Sequence, residues 1–244
     1  TVGDLADQLV PLNADDAVVV ISFRRVDRVT IEVLKHAARV GASRIALTDG
    51  LANPIARLAE LVMIARVGPL RLQPPYAPGA SLANALPTAV SLRAYPDAYP
   101  RLFVVTGAGI STDSGIPDYR DGNGAWKRRP PMTLQAFMSG PPARARYWAR
   151  GMIGWRHFDA VEPNVAHRAL AALERAGRIE LLLTQNVDGL HEKAGSLNVV
   201  DLHGRLDRVR CMQCGDLTAR DALQARLDAA HPDWLSPHAA IAPA

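Results

Sequence analysis

Apolar residues in the first quarter of the chain fall into short continuous runs separated by stretches of helical spacing. The run Ala17–Ile21 is β-branched and of strand length, which predicts a buried strand. Residues 27–42 then place apolar side chains at helical spacing and reach Gly41, a common C-terminal stop. Residues 43–49 predict a second strand, 53–62 a second helix and 62–65 the start of a third strand. This order is that of a βαβ unit, which predicts parallel pairing with a right-handed crossover.

A second α/β pattern begins at Arg101. Residues 101–111 (RLFVVTGAGIS) are typical of a strand, a glycine turn and the start of a helix. The later elements are a helix at 167–178, a strand at 179–184, a strand at 198–202 and a helix at 217–230. Strands that alternate with helices in this way predict an α/β fold with a parallel sheet.

The two patterns are separated by residues 68–100, which are rich in Pro, Gly and Ala and therefore interrupt regular structure. A short helix is predicted around 81–92. The composition divides the 244 residues into a first segment at 1–69, a linker at 70–94 and a second segment at 95–244.

The composition argues against several classes of protein. No apolar run approaches the roughly 18 residues that a membrane-spanning helix needs, and the start carries no basic-then-apolar leader. Two cysteines cannot form a disulfide scaffold, which favours a reducing, cytoplasmic setting. The formal net charge of +4 is mild and the basic cluster at 126–131 is typical of a solvated loop, so no nucleic-acid contact is expected.

The first chemical motif is the Gly-x-Gly formed by Gly107 and Gly109 after the strand at 102–106. Such a turn lets the backbone approach a phosphate closely, and the helix N-terminus that follows favours an anion. Asp118 and Arg120 follow close behind in the sequence and are expected beside the same pocket. A purely structural turn is the alternative interpretation of this pattern.

Three more motifs follow predicted strands. Gln185, Asn186 and Asp188 form a polar loop at a strand end, where open α/β sheets place their ligands. The alternative for this loop is a turn whose side chains bond to their own backbone. His203 leaves the next strand, and imidazole suits proton transfer near neutral pH, although a lone histidine is often structural. The pair Cys211 and Cys214 is half of a tetrahedral zinc site.

These motifs, in this order and at these spacings, resemble the sirtuins, which are NAD-dependent protein deacylases. The resemblance runs from about Ala83 or Tyr95 to the end of the chain. It implies an α/β fold, in which a parallel-sheet, Rossmann-like domain carries a small zinc-binding module that begins near residue 205. It further implies that the partner is an acylated protein and the cofactor NAD.

The sirtuin resemblance also implies roles for individual residues. His203 would be the general base, acting with Asn186 and Asp188 in the catalytic group. In the family the acyl oxygen attacks the ribose and nicotinamide leaves. The base then activates a ribose hydroxyl, and the acyl group is released from the lysine as O-acyl-ADP-ribose. The residues that would bind NAD are Gly107, Ala108, Gly109, Ile110, Asp118, Tyr119, Arg120, Gln185, Asn186 and Asp188.

Two further features concern the acyl group and the metal. Tyr147 and Arg150 have the spacing with which desuccinylase members of the family bind an acyl carboxylate, the alternative being an ordinary helix surface. Cys211 and Cys214 would be the first pair of a Cys₄ structural zinc site. The second pair, and the later strand turn that holds the adenosine side of NAD, do not occur in the sequence, which predicts a C-terminally truncated sirtuin domain.

The first segment resembles the second half of a SIS domain, a sugar-phosphate isomerase or binding module, over about Asp15–Arg66. This resemblance implies a βαβ SIS-like segment ahead of the sirtuin part and a sugar phosphate as a second ligand. Two alternatives to deacylation therefore stay open: a regulatory module that binds sugar phosphate, and an ADP-ribosyl transferase of the sirtuin family.

Overall fold

Six parallel strands form one sheet in the computed structural model of the chain. The structure describes residues 9–22, 26–48, 50–64, 101–116 and 131–234. The strands of the sheet are β1 (Ala17–Ile21), β2 (Ser43–Thr48), β3 (Leu61–Ile64), β4 (Leu102–Thr106), β5 (Ile179–Thr184) and β6 (Val199–Asp201). Their spatial order is β3-β2-β1-β4-β5-β6, the doubly wound order of dinucleotide-binding folds.

Helices and a hairpin complete the described architecture. The helices are α1 (Arg28–Val40), α2 (Leu134–Met138), α3 (Pro141–Asp159), α4 (Val165–Arg175), α5 (Leu190–Lys193) and α6 (Arg220–Ala230). Two 3₁₀ turns lie at Pro54–Arg57 and Ala108–Ser114. An antiparallel hairpin, outside the main sheet, pairs β7 (Arg208–Arg210) with β8 (Leu217–Ala219).

The core lies on both faces of the sheet, which explains why its central strands are apolar at every position. In β1 all five residues are buried. Val18 and Val20 pack in the cluster that contains α1, whereas Val19 packs in the cluster that contains α4. A strand covered by helices on both faces has no solvent-facing side, so the alternation of polar and apolar residues disappears.

Helix α1 has the boundaries that its sequence predicts. Asp27 caps its N-terminus, because the carboxylate accepts a hydrogen bond from the backbone N–H of Thr30 at 2.7 Å. Gly41 ends it in the left-handed conformation at φ 81°, which favours glycine. The helix is therefore fixed at both ends by local chemistry.

The segments on either side of residues 65–100 meet in the middle of the sheet. Strand β1 pairs with β4 in parallel, with Val19 beside Val104. At the start of these two strands, the guanidinium of Arg101 donates to both carboxylate oxygens of Asp16 at 2.9 Å. The sheet is thus continuous from the first segment into the second, and the strand order reverses between β1 and β4.

Three helix predictions differ from the structure. The predicted helix at 53–62 is wrong beyond one 3₁₀ turn, because Glu60 already bonds to Arg44 as strand β3 begins. The glycine turn leads into a 3₁₀ turn, which Gly115 ends at φ 90°. The helix predicted from Leu217 starts at Arg220, since its first residues pair in the hairpin.

Helix α2 had no counterpart among the predicted elements, and α3 was anticipated only as the helix surface considered for Tyr147 and Arg150. The predicted helix at 81–92 and the linker at 70–94 lie outside the described residues. Across the described ranges, no helix combines the length and the apolar character that a bilayer crossing requires.

Candidate functional site

Polar residues gather at the carboxyl ends of four neighbouring strands. Ser22 follows β1, Gly107 follows β4, Gln185 follows β5, and His203 lies two residues beyond β6. Because the strands are parallel and adjacent, their carboxyl ends share one edge of the sheet. This edge contains the point between β1 and β4 where the strand order reverses, which is where α/β folds bind their ligands.

The glycine turn lies against the neighbouring strand ends. A Cβ atom built on Gly107 would lie 3.6 Å from Oε1 of Gln185 and 3.9 Å from Oγ of Ser22. Ala108 and Gly109 are partly exposed on the 3₁₀ turn. Ile110 is fully buried in the sheet core, so only its backbone is near the site, where its carbonyl accepts from Asn164.

A buried hydrogen-bond network joins the glycine turn to the loop after β5. Oγ of Ser111 donates to the carboxylate of Asp188 at 2.7 Å and accepts from the side-chain amide of Asn186 at 3.0 Å. Asp188 also caps α5 by accepting from the backbone N–H of Leu190. Ser111 and Asn186 are 1% and 8% exposed. The two sequence motifs therefore form one preorganised polar pocket floor.

Two histidines lie beneath this floor. The rings of His167 and His191 are 4.9 Å apart, and both side chains are buried. His167 approaches Oγ of Ser111 at 3.5 Å, and His191 contacts Oγ1 of Thr106 at 2.9 Å. Burial lowers the pKa of His167 to about 4 and that of His191 to about 3. Both rings are therefore neutral at pH 7.

His203 stands at the rim of the site. Its side chain is 51% exposed, and its Nδ1 lies 3.0 Å from the backbone carbonyl oxygen of Gln185. A carbonyl oxygen can only accept, so Nδ1 carries the proton of the neutral ring and Nε2 is free to accept one. This is the tautomer that a general base at Nε2 requires.

Residues of the first segment reach the same rim. The side-chain amide of Gln185 donates to Oγ1 of Thr30 at 2.6 Å, which joins the end of β5 to the first turn of α1. The carboxylate of Asp27 lies 3.9 Å from Nε2 of His203. The first turn of α1 and its N-cap residue therefore contact the strand end and the histidine of the site.

Arg205 holds the loops that carry His203 and Asp188 together. Its guanidinium donates to both carboxylate oxygens of Asp207 at 2.7 and 2.8 Å and also pairs with Glu192 in α5 and with Asp201 at the end of β6. Burial, with a contribution from Asp207, raises the pKa of Asp201 to about 6. The arginine side chain is 15% exposed, so the cluster is largely shielded from solvent.

The cysteines lie on the turn of the β7–β8 hairpin. Cys211 and Cys214 are both exposed, and Gly215 closes the turn by donating to the carbonyl of Cys211 at 3.0 Å. Backbone N–H groups of Cys214 and Gln213 lower the pKa of the Cys211 thiol. In the described part of the chain, no three His, Cys, Asp or Glu side chains converge as metal ligands.

Tyr147 and Arg150 both lie on α3 and are exposed there. The Tyr147 ring packs edge-on against Phe137 and Trp148, with ring centroids 5.1 Å apart in each case. Tyr147 is therefore held by aromatic neighbours. The remaining predicted cofactor residues, Asp118, Tyr119 and Arg120, fall outside the described residues.

The sequence patterns did not single out several residues that the structure brings into the site. Ser111 lies within the glycine motif and close to the end of a predicted strand, so the sequence pattern could have indicated it as a site residue. His167 and Arg205 had no comparable signal, because their contacts come from elements distant in sequence. Asp27 and Thr30 belong to a different sequence segment altogether.

Comparison with known proteins gives matches to both segments. Residues 107–236 match the Sir2 family, and residues 2–85 match the SIS domain. A protein from Bordetella pertussis named NAD-dependent protein deacetylase is 59% identical over 153 residues, which are 63% of this chain and 56% of that protein. NAD-dependent protein deacetylase 2 of Bradyrhizobium diazoefficiens is 55% identical over 162 residues, 66% of this chain and 59% of that one.

Matches to solved structures cover a similar share of the chain. A Sir2 complex with a p53 peptide and NAD⁺ is 36% identical, with a TM-score of 0.44, and the match covers 52% of this chain and 50% of that one. The chain spans a little over half the length of the curated relatives described above.

Proposed function

Since this chain belongs to the Sir2 family, we propose that it removes acyl groups from protein lysines in an NAD-dependent reaction. The relatives that match it at 59% and 55% identity are named NAD-dependent protein deacetylases. The observation that carries the proposal is the convergence of Ser111, Asn186, Asp188 and His203 at the switch point of a doubly wound sheet. An acylated protein is the proposed partner.

The chemistry of the site residues fits NAD. NAD, when bound, supplies a ribose carbon that accepts the acyl oxygen and a hydroxyl on which a base acts. The Gly107 turn brings backbone close to the switch point, as a phosphate-containing ligand requires, and Ala108, Gly109 and the backbone of Ile110 continue that wall. Gln185 lies beside this turn and is proposed to contact the nicotinamide ribose.

Asn186 and Asp188 are proposed to hold the nicotinamide end. Both are already fixed by Ser111, so their side chains meet the ligand in one defined orientation. Groups that are oriented before binding contribute to catalysis because no reorganisation is needed at the moment of reaction. The buried neutral histidines beneath them exclude water and add no charge to this floor.

His203 is proposed as the general base. Its Nε2 is the free acceptor of the neutral ring and lies at the exposed rim, where a hydroxyl of the ligand can reach it. The carbonyl of Gln185 holds the ring in this orientation. A proton taken from the hydroxyl would therefore move to Nε2, and Nδ1 would keep its own.

Zinc is proposed as a structural ion at the hairpin, with Cys211 and Cys214 as two of its four ligands. The exposed turn and the backbone N–H groups that lower the pKa of Cys211 favour a thiolate there. Two ligands alone hold zinc weakly. No catalytic step depends on this ion.

Tyr147 and Arg150 are proposed to bind the acyl group when it carries a carboxylate. They lie three residues apart on α3, so they share one helix face. The tyrosine hydroxyl and the guanidinium suit the two oxygens of a carboxylate. Arg150→Ala is expected to reduce the preference for succinylated over acetylated peptide and to leave acetyl removal unchanged.

The experiment that tests the proposal measures nicotinamide and deacylated peptide from NAD and an acetyl-lysine peptide. The wild-type chain is expected to form both in equal amounts, and His203→Ala is expected to reduce both by a hundredfold or more. His157→Ala, which changes an exposed histidine of α3, is the matched control. An inactive wild type, or an unaffected His203→Ala variant with a native unfolding midpoint, contradicts deacylation. Nicotinamide release with transfer to protein would indicate ADP-ribosyl transfer instead.

A second candidate function is sugar-phosphate binding by the first segment, which the match of residues 2–85 to the SIS domain favours. Calorimetric titration of the full chain with fructose 6-phosphate and glucosamine 6-phosphate tests it. Saturable binding that NAD does not displace would support a separate ligand site. A flat titration would remove this candidate.

A further inference from the structure

The carboxylate of Asp27 faces the proposed base from outside the Sir2-matched residues 107–236. Asp27 belongs to the first segment, where it caps α1. One of its oxygens, Oδ1, accepts from the backbone N–H of Thr30 at 2.7 Å. The other, Oδ2, is buried without a hydrogen-bond partner and lies 3.9 Å from Nε2 of His203.

These two atoms are both hydrogen-bond acceptors, and no hydrogen lies between them. Because Nδ1 of His203 carries the proton, Nε2 has a lone pair and no hydrogen. A separation of 3.9 Å exceeds a direct hydrogen bond. Two acceptors at this distance are satisfied by two adjacent hydroxyl groups, one donating to each. A ribose presents such a pair of hydroxyls on neighbouring carbons.

The position of Asp27 is fixed by a second contact between the segments. Thr30 lies in the first turn of α1, is fully buried, and accepts from the side-chain amide of Gln185 at 2.6 Å. Gln185 in turn holds His203 through its backbone carbonyl. The helix that carries Asp27 and the strand end that orients His203 are therefore tied together directly.

We propose that Asp27 binds one hydroxyl of the ribose diol whose other hydroxyl donates to His203. This rests on the proposed function, because the diol is that of the NAD ribose next to nicotinamide. Asp27 thereby extends the ligand site onto the first segment. When His203 takes up the proton, the same carboxylate stabilises the positive imidazolium at short range.

Asp27→Asn and Asp27→Ser separate this role from helix capping. Asparagine and serine are both good N-cap residues, so α1 keeps its cap in each variant. The asparagine amide places a donor toward Nε2 of His203, and serine leaves that space empty. Both variants therefore remove the acceptor for the diol while retaining the unfolding midpoint of the wild type.

Titration with ADP-ribose gives a readout that does not depend on turnover. The dissociation constant of ADP-ribose is expected to rise tenfold or more in both Asp27 variants, as for loss of a hydrogen bond to a charged group. Two analogues, each lacking one hydroxyl of the distal diol, are then compared: the one without the hydroxyl that Asp27 binds should bind wild type and variants alike, whereas the other should still bind the variants more weakly. Glu32→Gln, an exposed charge removal on the same helix, is the control and should bind ADP-ribose as the wild type does.

Kinetics give the second readout and separate the two proposals. Both Asp27 variants are expected to raise KM for NAD by tenfold or more. If the wild type binds ADP-ribose but forms no product, the deacylation proposal is overturned. The role of Asp27 is then judged from the ADP-ribose dissociation constants alone. Unchanged ADP-ribose binding in both Asp27 variants overturns the role of Asp27, whatever the turnover. Absence of ADP-ribose binding by the wild type also overturns it.

Discussion

Single residues determine how the site responds to acid. His167 and His191 lie below the polar floor as neutral rings, with pKa values lowered by burial to about 4 and about 3. Placing a proton on either ring carries charge into the core, so it is less favourable in the folded chain than in the unfolded one. The same burial that keeps the floor neutral therefore makes the fold sensitive to acid.

The first prediction is a fall in stability between pH 7 and pH 5. Since the folded pKa of His167 lies below the ordinary value of 6.5, the unfolded chain binds the proton first as the pH falls. The free energy of unfolding should decrease from about pH 6.5 down to about pH 4, by about 2 kcal/mol at pH 5 for His167 alone. Urea unfolding at the two pH values measures it.

The variant that isolates this effect is His167→Gln. Its loss of stability between pH 7 and pH 5 should be smaller than that of the wild type by about 2 kcal/mol. The comparison is made within each protein, so a general destabilisation by the substitution cancels. His157→Gln, an exposed change, serves as the control. Equal pH dependence in wild type and His167→Gln would show that His167 is not buried as a neutral ring.

At the scale of elements, Asn164 connects α4 to the glycine turn. Its side-chain oxygen caps α4 by accepting from the backbone N–H groups of Ala166 and His167, at 2.9 and 3.4 Å. Its side-chain nitrogen donates to the carbonyl of Ile110 at 2.7 Å. One residue thus fixes both the start of a core helix and the backbone next to the site.

The second prediction concerns the two bonds of Asn164. Asn164→Ala removes the cap and the bond to Ile110, and should lower the free energy of unfolding by about 2 kcal/mol. Asn164→Ser keeps a side-chain oxygen that can cap the helix and loses the donor to Ile110, so it should recover about half of that loss. Denaturant unfolding of the three proteins measures the difference. An alanine variant as stable as the wild type would contradict the capping role.

At the scale of the whole molecule, β1 belongs to the same sheet as the site strands. It lies between β2 and β4, and its residues pack on both faces. Asp16 and Arg101 join the starts of the two central strands. The first segment therefore supports the edge of the sheet where Gln185 and His203 lie.

The third prediction is that a change in β1 destabilises the second segment. Val20→Ala leaves a cavity against α1 and should lower the free energy of unfolding by about 2 kcal/mol. All four tryptophans follow residue 100, so their fluorescence reports on the second segment. Val10→Ala, which changes a side chain that is 75% exposed, should leave the midpoint unchanged. A fluorescence midpoint unaffected by Val20→Ala would show that the segments unfold separately.

Predictions from local sequence agreed with the structure where contacts between residues close in sequence determine the element. The ends of α1 follow from the Asp27 cap and from Gly41, and β1 follows from its β-branched run. The helix predicted at 53–62 was wrong, because pairing of β3 with β2 overrides the helical spacing of its last residues. The ends of α1 depend on contacts within a few residues, whereas β3 pairs with residues of β2 that lie 16 positions away along the chain.

The sequence by itself determined the α/β class, the Sir2 motifs and the residues after β4, β5 and β6, because strand ends and glycine turns are encoded locally. Only the tertiary structure decided that β1 joins β4 and that Asp27 faces His203. Those contacts connect residues 85 and 176 positions apart, and pairing at such distances depends on packing of the whole sheet. Whether the first segment contributes to the site is therefore a property of the fold, which no single motif contains.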